Sequence, residues 1–265
     1  MFGRNDAPGP GVSKDGPKVR DFFLFFELYG RKFWIYCMLG LLYTCCMLPF
    51  LYASFVLYFI TEGTALGIIL SPTLLGMCIF APGLVYVIRN YSWEKHSWYV
   101  RDYFRNVWQN LKQSLLMFII DVIVFTVLLT AIQSYLLWNQ LYLAGVCFAL
   151  LLFVMSVHTY IYVIMVTFNM KLFAIIKNAV ILTMAKLPVN FMLMVCAIVA
   201  FYASFLTQAF AYAVVTLITV PFVALMLTFF PSRVVKKLMI KEKESVKVET
   251  LFDDNSDEVK VHRLR

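Results

Sequence analysis

The chain has 265 residues, of which 62% are hydrophobic and only 14% charged. A soluble domain covers its surface with roughly 25% charged residues, so the solvent of this chain must be mostly lipid, as its mean hydropathy of +0.80 also says. Long unbroken apolar runs exclude the alternating pattern of a barrel and leave helices as the spanning element. The net charge of +8 comes with no nucleic-acid-binding motif; it points to contact with anionic headgroups of the lipid bilayer.

Residues 1–32 form an N-terminal segment whose first part, Met1 to Arg20, is polar and rich in Gly and Pro, with no apolar core of the signal-peptide kind. The first apolar run goes from Phe33 to about Ile60 and the second from Ala65 to Ile88, with only Thr61 to Thr64 between them. The third, Leu115 to Leu137, turns near Asn139 into the fourth, Leu141 to Phe168. The fifth begins after Pro188 and ends near Leu206, and the sixth runs from Ala209 to Phe230. Each reaches or approaches the ~20 residues needed to cross ~30 Å of hydrocarbon.

Orientation follows from the basic residues. Six lie before Phe33, five between Arg89 and Lys112, three at Lys171, Lys177 and Lys186, and nine after Phe230, which together are all 23. The alternate turns hold none, and Glu62 is their only charge. The positive-inside rule then places both termini in the cytoplasm. Trp34, Trp93, Trp98 and Trp108 mark the inner boundary; Trp138, Tyr135 and Tyr142 mark the outer one.

Two inner connections carry helical periodicity. From Ser97 to Ser114, Val100, Phe104, Val107, Trp108, Leu111 and Leu115 alternate with Arg101, Asp102, Arg105, Gln109 and Lys112, which predicts an amphipathic surface helix. Arg101, Asp102, Phe104, Arg105, Trp108 and Lys112 are its candidate partner-binding face. A weaker counterpart spans Asn169 to Leu187 and is expected to be partly buried. The predicted fold is an all-α membrane protein: six transmembrane helices in three hairpins, joined by two cytoplasmic amphipathic helices. Residues 33–232 form the membrane domain. The segment 233–265, alternately basic and acidic, is a cytoplasmic tail expected to be partly disordered.

Asp121 is the one carboxylate inside a predicted span, and His158 the one histidine. Both fall at similar depth on the third and fourth spans, so they can form an intramembrane polar pair. The alternative has Asp121 reaching towards Lys112 or headgroups while His158 bonds a carbonyl. Pro49, Pro72, Pro82 and Pro221 predict kinks. The six cysteines, none in a CxxC pair, read as small hydrophobes. No metal-ligand set and no cofactor motif is present. Asp253 to Asp257 resembles the opening of a calcium loop, but Glu258 stands where that loop needs Gly and Leu264 where it needs Glu. HExxH, GxSxG and Walker patterns are absent, so a non-catalytic role is expected.

Three blocks carry a family likeness: Pro8 to Asp15; Gly83 to Tyr91 with Asp102-Tyr103-Phe104 and Asn110 to Ser114; and Met165 to Phe168 with Lys177-Asn178 and Leu187 to Asn190. In these the chain resembles the YesL-like integral membrane proteins, a bacterial family defined by a domain of unknown function, over most of its length to about Arg233. It departs from them at Gly40, where the family often has Asn, in the stretch Tyr58 to Leu70, and in the tail after Ser232. Genes of that family commonly neighbour sugar ABC importers, sensor kinases and carbohydrate-degrading enzymes. The resemblance implies a bacterial cell-membrane protein, accessory to carbohydrate uptake or its regulation, with the permease of a sugar ABC importer as partner. The alternative is a small-solute transporter with its own pathway through the bundle.

Overall fold

Runs of apolar residues in lipid must satisfy their backbone internally, and the computed structural model meets this with helices alone. It describes residues 21–63, 66–206 and 214–240, and among them no strand occurs. The helices are α1 (Asp21–Arg31), α2 (Phe33–Ile60), α3 (Leu66–Ser92), α4 (Tyr99–Leu137), α5 (Leu141–Thr167), α6 (Leu172–Ala185), α7 (Leu187–Phe205) and α8 (Val220–Val235). Six helical stretches are long and apolar enough to cross a membrane: α2, α3, α4, α5, α7 and the stretch Leu217–Ile240 that contains α8. The protein is a multi-pass, all-helical membrane protein. The leader to Arg20, residues 64–65, residues 207–213 (where the sixth span was expected to start) and the tail after Ile240 lie outside the described residues.

The amphipathic stretch Ser97 to Ser114 is not a separate surface helix. It is the first part of α4, which runs unbroken for 39 residues, about 58 Å at ~1.5 Å per residue. No Gly or Pro stands between Tyr99 and Leu137 to stop it. The change from amphipathic to apolar character marks a change of solvent, while the backbone continues. The second inner helix, α6, is separate. It buries Leu172, Ile175, Ala179 and Leu182 and leaves Phe173 and Lys177 exposed.

An unforeseen helix, α1, precedes the first span. Its apolar face packs on α8, with the Phe25 ring 5.6 Å from Phe222, 5.8 Å from Phe229 and 5.7 Å from Phe230. The start of the described chain and the end of α8 therefore share one end of the bundle.

The α4–α5 turn is built by Asn139, whose φ of 57° is left-handed, a conformation that Asn tolerates. Gln140 N–H donates to the Tyr135 carbonyl at 2.8 Å and Asn139 N–H to Leu136 at 3.1 Å, a Schellman closure of α4. Glycines set two close approaches. A Cβ at Gly83 would lie 2.6 Å from the Tyr103 carbonyl oxygen, and one at Gly40 2.7 Å from the Pro221 ring. Gly83 thereby lets the α3 and α4 backbones approach each other directly, in the small-residue manner of membrane helices. Before Pro221, Val215–Thr219 widens into a π-helical turn. Proline has no N–H for the preceding turn, and the wider spacing accommodates that loss.

Candidate functional site

Asp121 and His158 each lie about 24 Å along their helices from the α4–α5 turn, taking ~1.5 Å per residue. The two helices are antiparallel neighbours, and His158 Nε2 stands 3.0 Å from Asp121 Oδ1. The second carboxylate oxygen, Oδ2, accepts from Cys78 Sγ on α3 at 3.1 Å. Asp121 is 2% exposed, His158 5% and Cys78 1%. Asp121 therefore does not reach out to Lys112 or to headgroups. An unpaired charge at this depth would cost about 2.5–3.5 kcal/mol on insertion scales, and the contacts from α3 and α5 offset that cost. The geometry suits either protonation state of the ring, because Nε2–H donates in both.

Phe125 and Tyr162 flank the pair, each with its ring 6.0 Å from the imidazole. The Tyr162 hydroxyl is sealed from water. Cys78 and Tyr162 were beyond reach of the sequence. Cys78 reads there as one more small hydrophobe, and nothing in its neighbours points to α4.

His158 and Tyr162 also belong to the wall of a partly open cleft of about 500 Å³ between α3, α5, α7 and α8, to which α2 contributes Tyr43. Its other walls are mostly aliphatic and aromatic, among them Leu84, Leu152, Met155, Met194, Phe201 and Leu227. The polar exceptions are Tyr43, Thr159 and Thr228. A space of this size lies within the ~300–1,000 Å³ of small-molecule sites.

Five of the six residues of the candidate partner face stand exposed at the basic end: Arg101, Phe104, Arg105, Trp108 and Lys112. Asp102 serves the helix itself. Its Oδ2 accepts from Ser97 Oγ at 2.7 Å and from Trp98 N–H at 2.9 Å, which closes the start of α4 in the manner of a capping box. The inward side of this segment, Tyr103 and Val107, packs on Gly83. Its outward side continues as an uncovered apolar stripe through Leu115, Ile119 and Ile123.

The sequence blocks around Arg89 and Asn190 hold the bundle together. Arg89, only 7% exposed, donates through Nη1 to the Val166 carbonyl at 2.6 Å and to Thr167 Oγ1 at 3.0 Å. Its Nη2 donates to Asn90 Oδ1 at 2.8 Å. The guanidinium lies 4.7 Å from the Tyr86 ring and 5.0 Å from Trp93. It thus closes the carbonyl end of α5 with a positive charge, where the helix dipole favours one. Asn190 joins three helices, accepting from Tyr160 at 3.0 Å and donating to the Thr183 carbonyl at 3.1 Å. Nearby, Lys32 rests over the Tyr91 ring at 4.1 Å. Burial, with Arg31 beside it, holds its ammonium below the usual lysine range, partly opposed by Glu94.

A niche of about 600 Å³ opens between the α4 and α5 ends, lined by Asn106, Gln109, Asn110, Lys112 and Gln113 on one side and by Val166 to Asn169 on the other. Gln113 Nε2 spans it to the Met170 carbonyl at 3.0 Å. Among the described residues no group of three or more His, Cys, Asp or Glu side chains is placed to hold a metal ion. No family model, no curated protein and no solved structure matches this chain.

Proposed function

We propose that this protein is a non-catalytic accessory subunit of the bacterial cell membrane, with both termini in the cytoplasm, that acts by holding a larger membrane partner. The observation that carries this reading is α4. About 30 Å of hydrocarbon accounts for roughly half of its ~58 Å, and the remainder stands at the basic end. There it presents Phe104 and Trp108 beside Arg101, Arg105 and Lys112, uncovered on the side away from α3. Aromatic rings beside arginines are the side chains that most often dominate binding energy at interfaces. The likeness of the Gly83 to Ser114 and Met165 to Asn190 blocks to YesL-like proteins supports the permease of a sugar ABC importer as that partner, in uptake or its regulation.

A photoreactive residue at position 105, in cells that make both proteins, tests this. Covalent capture of the permease, lost on combining Phe104→Ala with Trp108→Ala, is expected. Capture of lipid alone, in cells where the permease is present, refutes the reading. One observation favours a small-solute transporter, namely the Asp121–His158 pair on the wall of a cleft. Against it stands the apolar character of the other walls, which offer a hydrophilic solute few hydrogen bonds.

A further inference from the structure

The cleft between α3, α5, α7 and α8 combines an apolar volume with a small concentration of hydrogen-bonding atoms on one wall. His158 commits Nε2 to Asp121, and its other ring nitrogen has no partner among the described residues. The hydroxyl of Tyr43, which also lines the cleft, has none either. Tyr43 lines the cleft together with His158 and Tyr162, so it belongs to the same polar wall. This wall holds more hydrogen-bonding capacity than the protein uses, and the rest of the cleft holds almost none.

We propose that the cleft binds a single-chain amphiphile with a neutral hydroxyl head, a long-chain alcohol in chemical class. Its head sits between His158 and Tyr43, and its chain lies along Leu152, Met194, Phe201 and Leu227. Each alternative occupant fails on a specific point. Ordered water needs two to four polar partners per molecule, which only the His158 wall supplies. A polyhydroxylated solute would leave its own hydroxyls unpaired against aliphatic walls. A phospholipid phosphate finds no Lys or Arg among the lining residues. A carboxylate head would face Asp121 directly behind His158. A hydroxyl both donates and accepts, which matches a neutral imidazole nitrogen as acceptor and a phenol as donor. In lipid the chain gains only packing contacts on entering the cleft, so the hydrogen bonds of the head set the preference. This inference does not depend on a partner at α4, and either reading can fail without the other.

The test uses the full chain in phosphatidylcholine nanodiscs and a diazirine-bearing hexadecanol as probe, with hexadecanol, hexadecane and palmitate as competitors. Labelling is expected on peptides containing Leu152, Met155, Met194 or Leu227. Hexadecanol should compete about three- to tenfold better than hexadecane, the range that one net hydrogen bond supplies, and better than palmitate. Tyr43→Phe, which keeps the ring, should weaken hexadecanol by a similar factor and leave hexadecane unchanged. Leu152→Trp, which fills the cleft, should abolish specific labelling in protein that still unfolds cooperatively. Labelling confined to outward residues such as Ile119 and Ile123 would mean annular lipid only and overturns the proposal. Equal competition by hexadecane, stronger competition by palmitate, or an indifferent Tyr43→Phe overturns it as well.

Discussion

Replacing Asp121 by leucine removes the carboxylate that, among the described residues, pairs with His158 and leaves the imidazole, 5% exposed, without its partner at Nε2. Replacing His158 by leucine is the harsher change. It leaves a carboxyl group, 2% exposed, with the Cys78 thiol as its remaining donor. Breaking one side of a buried ion pair costs about 3–5 kcal/mol, whereas replacing both sides by apolar groups is often nearly neutral. A neutral interhelical hydrogen bond in a membrane protein averages only about 0.6 kcal/mol and reaches about 1.7. Cys78 moderates the loss, so we expect about 2–4 kcal/mol for His158→Leu and about 1–3 kcal/mol for Asp121→Leu. The double variant should be no less stable than His158→Leu alone, which corresponds to a coupling at least as large as the Asp121→Leu cost, about 1–3 kcal/mol. Reversible unfolding in bicelles, followed for the wild type, both single variants and the double variant, measures that coupling. Additive losses, or a coupling near that of a neutral hydrogen bond, would refute the view that the pair acts as one buried unit.

Gly83→Leu should be more damaging than any outward substitution on α4. Even a Cβ at that position meets the Tyr103 carbonyl oxygen at 2.6 Å; backbone cannot retreat as a side-chain tip can, so a loss of at least about 1–3 kcal/mol is expected, against a near-neutral Ile119→Ala in the same unfolding assay. Arg89→Met should cost about 2–4 kcal/mol, since several hydrogen bonds from one charged donor are lost together. Arg89→Lys should recover little of it, because an ammonium cannot reproduce the fork that joins Asn90, Val166 and Thr167; hydrogen exchange at the end of α5 would report the release. Asn139→Val should destabilise by about 1–2 kcal/mol, because a β-branched residue resists the left-handed φ of 57°. Asn139→Gly should be neutral or slightly stabilising, and equal losses for the two would show that the backbone conformation at that turn is not the cause.

Much of this protein was legible in the order of its residues alone, because lipid imposes a simple rule on every stretch that crosses it. Apolar runs of bilayer length marked the spans, and the asymmetric placement of Lys and Arg gave the orientation expected for them. Counting inward from the basic ends of the third and fourth spans predicted that Asp121 and His158 lie at similar depths, since rise per residue in a helix is constant. Tertiary structure alone decided the rest. Polarity reports the solvent beside a residue and is silent on where a backbone stops, so the extension of α4 through Tyr99 to Ser114 appeared only with the fold. A shared depth does not set rotation about a helix axis. It is the packing of α3 on α4 through Gly83 that carries Cys78 to Asp121, and that of α5 on α4 that turns His158 inward. The cleft beside them has no counterpart in the sequence, because its walls come from α3, α5, α7 and α8 and its shape is the space their side chains leave between them.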